Sequence, residues 1–146
     1  MSDLYTGACA CGKIQYECNA APVFSWKCHC RDCQRASGSM LCPVMYVPKT
    51  ALTISGQAKF YEVKAESGNA VRRGFCSECG SPVFIDAELV PELMGLWAAS
   101  LDDPSRFTPQ VEVWTNSAHA WTSLQDGLDK FEQAPTSEQM QKIIST

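Results

Sequence analysis

A chain of 146 residues with 45% hydrophobic and 19% charged side chains has the composition of one globular domain with its own core, and it is too short to suggest two. Sixteen acidic against twelve basic side chains leave a net charge of −4, so no global positive field exists to neutralise a phosphate backbone, and nucleic acid is set aside as a partner. No apolar run approaches a membrane helix in length, and the N-terminal MSDLYTGACACGK has neither the basic nor the apolar region of a secretory signal, which together predict a cytoplasmic protein without a membrane partner.

In KIQYEC, Lys13, Gln15 and Glu17 alternate with Ile14, Tyr16 and Cys18, the period of a strand with one wet face, and this puts Cys18 among core side chains. Cys30 to Ser37 predicts a short helix ended by Gly38. MLCPVMYV reads as a strand. KFYEVKA, the turn-rich ESGN and AVRRGFC together predict a hairpin whose second arm delivers Cys76. SPVFID, ELMGLWAAS and QVEVW are further strands, with Pro43, Pro82 and Pro109 placed for strand starts or edges. A second helix is predicted in PTSEQMQKIIS, with Thr136 as N-cap and Gln139 three residues on. Trp26, Trp97, Trp114 and Trp121 recur in strand-like contexts, where core packing is the default role of all four and one or two could instead line a pocket beside a second metal site. The sum is a mainly β single domain over residues 1–146, with cysteine clusters at its turns.

Nine cysteines in a reducing compartment point to thiolate ligands rather than a disulfide framework. Two segments look alike: CACG, with Cys9 and Cys11 before Gly12, and CSECG, with Cys76 and Cys79 before Gly80. The glycine allows a tight fold in which backbone N–H groups can face the sulfurs. Four such thiolates make a closed tetrahedral zinc site whose role is structural.

The cluster WKCHCRDC, with Cys28, Cys30 and Cys33, is more polar and has no such glycine. Three protein ligands with an exchangeable fourth position is the arrangement of catalytic zinc, and a thiolate is a natural incoming ligand for a zinc already bound by sulfur. Cys42, nine residues beyond Cys33, could instead turn back and complete a four-thiolate site; the local alternation does not choose. His29, between two candidate ligands, reads as a residue that packs or bonds to backbone rather than an acid catalyst. His119 reads as a surface or satisfied histidine. Arg31, Arg35, Arg72 and Arg73 could clamp carboxylates, and solvated faces explain them equally well.

The order GACACG (Gly7 to Gly12), CHCRDC (Cys28 to Cys33) and GFCSECG (Gly74 to Gly80) resembles the glutathione-dependent formaldehyde-activating enzyme family, which includes centromere protein V-like proteins. The tail, with Trp121 followed by GLDKFEQAP, is similar as well. The resemblance implies a β-tent fold of small antiparallel sheets with short peripheral helices and two zinc ions. Cys9, Cys11, Cys76 and Cys79 would hold the structural ion, and Cys28, Cys30 and Cys33 the catalytic one. The implied reaction joins formaldehyde to the thiol of glutathione, giving S-hydroxymethylglutathione, or cleaves that carbon–sulfur bond in reverse. The alternative is a non-catalytic zinc scaffold that binds a protein partner, in which Cys42 or an outside group closes the second site.

Overall fold

The computed structural model describes residues 4–145; residues 1–3 of the N-terminal stretch read above, and Thr146, lie outside the described residues. Strands β1 (Tyr5–Ala8) and β2 (Gln15–Cys18) form an antiparallel hairpin in which Tyr5 pairs with Cys18 and Ala8 with Gln15. The alternation expected for this segment holds, because Tyr16 and Cys18 are buried while Gln15 and Glu17 face solvent. Strand β3 (Phe24–Cys28) leads into helix α1 (Arg31–Ser37), which starts at Cys30 and stops where Gly38 takes a left-handed conformation. Next come β4 (Cys42–Pro48) and β5 (Leu52–Ser55), the latter pairing antiparallel with β2 to complete a three-stranded sheet.

The expected hairpin is β6 (Lys59–Lys64) and β7 (Ala70–Phe75), with Cys76 directly after its second arm. Strands β8 (Pro82–Ala87), β9 (Leu93–Trp97), β10 (Val111–Val113) and β11 (Asp129–Lys130) follow, and helix α2 (Ser137–Ser145) ends the described chain. The larger sheet has eight strands in the order β11-β10-β3-β4-β9-β8-β7-β6. It is antiparallel apart from β10, which runs parallel to both β3 and β11. The prolines fall where a missing N–H does least harm: Pro82 opens β8, Pro109 precedes β10, and Pro43 pairs with Lys27 one residue before the β9 register begins at Val44.

Strand β4 divides the core, because successive side chains of a strand point to opposite faces. Val44 and Tyr46 join Phe24, Ile85, Val113 and Met140 on one side. Met45 and Val47 join Ile14, Tyr16, Phe84 and Leu96 on the other. The cysteines divide along the same line: Cys28, Cys33 and Cys42 belong to the first cluster, Cys9, Cys18 and Cys76 to the second. Helix α2 closes the first side with Met140 and Ile143, and its start is fixed by the expected reciprocal cap. The Gln139 N–H donates to Thr136 Oγ1 at 3.2 Å, and the Thr136 N–H to Gln139 Oε1 at 2.8 Å.

One tryptophan departs from its expected role. Trp97 is buried, and Trp26 and Trp114 pack partly buried against the core, but Trp121 is 72% exposed and stacks on the His119 ring instead. It lies in a turn after β10.

Candidate functional site

The first cluster is assembled from two turns far apart in sequence. Cys9 and Cys11 leave the end of β1, and Cys76 and Cys79 leave the end of β7. In each turn the second cysteine is followed by a glycine at positive φ, Gly12 at 78° and Gly80 at 76°, a conformation that strains any residue with a Cβ. The Gly12 N–H donates to Cys9 O at 3.1 Å and the Gly80 N–H to Cys76 O at 2.7 Å, so the two turns are built alike. The Ala10 N–H donates to Ser81 Oγ at 3.0 Å and clips one turn to the other.

All four sulfurs lie within 4.8 Å of one another. Cys9 Sγ to Cys11 Sγ and Cys11 Sγ to Cys76 Sγ are both 3.7 Å. Sulfurs placed 2.3 Å from a tetrahedral zinc stand about 3.8 Å apart, so the donor set fits that ion. Backbone amides face the sulfurs as well, with the Ile14 N–H donating to Cys9 Sγ at 3.2 Å.

Thiols this close divide their protons unequally. The Ser81 hydroxyl and N–H groups, with further help from the Cys11 N–H, lower Cys79 to about 5. The Lys13 N–H favours the Cys11 thiolate, but desolvation and the neighbouring sulfurs outweigh it and push Cys11 up to about 11. A divalent cation would remove that conflict by stabilising every thiolate at once.

The second cluster comes from a single stretch. Cys28 ends β3, Cys30 caps α1 and Cys33 lies in its first turn; the Cys33 N–H donates to Cys30 Sγ at 3.3 Å. These three sulfurs lie within 4.8 Å of one another, and among the described residues no fourth Cys, His, Asp or Glu ligand atom joins them. Cys42 pairs across the strands with Cys28 and lies outside the mutually close set. Hydrogen bonds from Cys28, Cys30 and Cys42, with the charge of Arg73, hold Cys33 well below the usual thiol range. Burial, reinforced by the anionic Cys33, drives Cys42 the other way.

A cavity of about 440 Å³ opens beside this trio. Arg73 enters it from β7: its Nη2 donates to Cys33 Sγ at 3.4 Å, and its buried Nε has no hydrogen-bond partner. Of the other arginines weighed from sequence, Arg72 faces the opposite side of β7, pairing with Asp86 at 3.3 Å and lying over the Phe60 ring, Arg31 bonds Gln34, and Arg35 is exposed.

His29 turns from the trio into a buried network. Its Nε2 meets Glu112 Oε1 at 2.8 Å, and both side chains are fully buried. Glu112 Oε2 accepts from the Gln125 N–H at 2.6 Å, and Lys27 Nζ stands 3.7 Å from Oε1. Gln34 Nε2 donates to His29 O at 2.8 Å and to Ser117 O at 3.1 Å, and its Oε1 meets His119 Nε2 at 3.2 Å. The CHCRDC loop is therefore tied down on the side away from the cavity.

Sequence reasoning missed Glu112, which QVEVW presents as a wet-face residue, and weighed Arg73 only as one of four equivalent arginines. Adjacent arginines on one strand must face opposite sides, which is the signal that one of Arg72 and Arg73 turns inward.

No curated protein matches the chain. Among solved structures, a crystal structure of a Rhodobacter sphaeroides protein aligns with a TM-score of 0.53 at 16% identity, covering 86% of this chain and 98% of that one. That likeness shows the fold. The glutathione-dependent formaldehyde-activating enzyme family model matches residues 4–117, a span that contains both cysteine clusters and Arg73, and the chain belongs to that family.

Proposed function

We propose that this protein is a zinc-dependent carbon–sulfur enzyme that joins the thiol of glutathione to an aldehyde, with S-hydroxymethylglutathione as the product from formaldehyde, and catalyses the reverse cleavage. The observation that carries this reading is a trio of thiols without a fourth ligand from the described residues, set against a cavity. Cys9, Cys11, Cys76 and Cys79 would hold a structural ion, and Cys28, Cys30 and Cys33 a second one. At that second site zinc supplies a Lewis acid that favours the thiolate form of an incoming thiol near neutral pH.

The rest is the work of this chain. The trio is held rigid from behind by His29, Glu112 and Gln34, so the sulfurs keep one geometry as substrate enters. An aldehyde seated in the cavity would have its carbon beside the substrate sulfur. As the carbon–sulfur bond forms, the carbonyl oxygen gains negative charge, and the Arg73 guanidinium, which borders the cavity beside Cys33, is the donor assigned to receive it. The proton lost by the thiol finishes on that oxygen, leaving a neutral adduct. In cleavage the same donor supports the oxygen as the bond opens.

Exchange between glutathione and formaldehyde, followed by magnetisation-transfer NMR at equilibrium, tests the reading. The zinc-loaded protein should accelerate exchange above the protein-free rate, and Cys30→Ser should abolish the acceleration. An unchanged exchange rate in the presence of protein that carries two zinc ions would overturn it.

A further inference from the structure

The cavity beside the thiol trio is larger and less polar than a one-carbon aldehyde requires. Its 440 Å³ lies within the range of sites that take whole organic ligands. Trp26, Tyr46, Ile85, Val113, Trp114 and Met140 are among its walls, while Arg73 brings a charge to the cysteine end. Glutathione carries two carboxylates and an ammonium group, and burying these among tryptophan, isoleucine and methionine side chains would strip their hydration without replacing it. Apolar carbon suits these walls.

The family match ends at residue 117, yet Ala134, Pro135 and Met140 also line the cavity. The capping pair Thr136 and Gln139 fixes the start of α2, so that Met140 packs inward with Phe24, Tyr46 and Ile85. Part of the wall that sets the size of the guest thus lies in a segment beyond the matched region.

We propose that the preferred aldehyde carries an aliphatic or aromatic group several carbons long, seated in this cavity with its reacting carbon towards Cys28, Cys30 and Cys33. This rests on the carbon–sulfur reading above. The reaction remains a thiol addition: a carbon–sulfur bond forms, the carbonyl π bond opens, and the thiol proton moves to oxygen, with no oxidant or reductant consumed. Glutathione's charged ends stay towards solvent, where the exposed Arg31, Asp32, Lys64 and Glu66 border the cavity with charges of both signs.

Calorimetric titration of the zinc-loaded protein with S-methyl-, S-butyl- and S-hexylglutathione tests the subsite without turnover, alongside exchange assays with formaldehyde, butanal and hexanal. Affinity should rise by roughly fourfold for each of the first few methylenes buried. Ala134→Trp, a change at an exposed rim position, should blunt that gain by filling the cavity. A dissociation constant that stays level across the series, or a gain that Ala134→Trp leaves untouched, overturns the proposal. A level series with formaldehyde still exchanged removes the subsite and keeps the reaction. Tighter binding of the longer chains with no aldehyde exchanged keeps the subsite and removes the reaction.

Discussion

The two cysteine clusters use the same donor atom and reach opposite ends. The Cys9–Cys11–Cys76–Cys79 set draws four sulfurs from turns 65 residues apart at Cys11 and Cys76, wraps them in backbone N–H groups, and lies on the face of the sheet packed by Ile14 and Leu96. The Cys28–Cys30–Cys33 set draws three from one loop, lies on the other face, and borders a cavity lined in part by the half-buried Arg73. A cross-link between distant turns acts on stability. A trio fixed within one loop joins little that the loop does not already join, so its chemistry is available for a ligand. On the proposed reading, the number of sulfurs and what surrounds them, rather than sulfur itself, would separate a structural ion from a catalytic one.

That contrast is broken most severely at the four-cysteine cluster. Cys76→Ser should prevent folding or collapse the thermal midpoint, since metal binding in such sites is worth on the order of 10 kcal/mol and a domain's whole stability is of the same order. Circular dichroism melts with zinc analysis by mass spectrometry measure it. Cys30→Ser should do the reverse, keeping a cooperative melt while activity falls more than about 100-fold. Serine is itself a good helix N-cap, so α1 survives the exchange.

Arg73→Met keeps the side chain's bulk and removes its donors; kcat should fall by about 100- to 1,000-fold in steady-state assays with the zinc content unchanged. The network behind the trio gives a smaller effect. Glu112→Gln should cost about 1–3 kcal/mol in denaturant melts. Burial pushes the Glu112 carboxyl upward, but the His29 bond, the Gln125 N–H and Lys27 outweigh it and hold it below its ordinary value. Its ionised form therefore contributes fully above the unfolded carboxylate range, and that contribution disappears as pH falls through the lower folded value. The stability gap between wild type and Glu112→Gln should be level above about pH 5 and narrow below it. Smallest is Cys42→Ala, with about 1 kcal/mol lost from the core and both zinc ions retained. A fall to one zinc ion would make Cys42 a ligand and return the scaffold alternative.

Much of the four-cysteine cluster was legible because its logic is local. Two Cys-Gly turns, the alternation at Ile14, Tyr16 and Cys18, and the hairpin ending at Cys76 all depend on near neighbours in sequence. The same holds for Gly38 after α1 and for the Thr136–Gln139 cap. What escaped depends on distant partners. Strand β3 buries both Phe24 and Ser25, so it lacks the alternation that marks a half-wet strand. β10 buries Glu112 between Val111 and Val113, because His29, 83 residues away, supplies the compensating bond. Whether Cys42 joins the trio was undecidable from spacing; the β3–β4 register sets it opposite Cys28, outside the set of three mutually close sulfurs. Trp121 reads as core by residue type but is exposed, stacked on the His119 ring.

Zinc stoichiometry combined with zinc-edge X-ray absorption, before and after glutathione is added, tests the contrast most directly. Two ions per chain are expected, with average sulfur coordination incomplete at first and rising when the thiol arrives. All-sulfur coordination from the outset, unmoved by glutathione, or a single ion confined to the four-cysteine cluster, would contradict it.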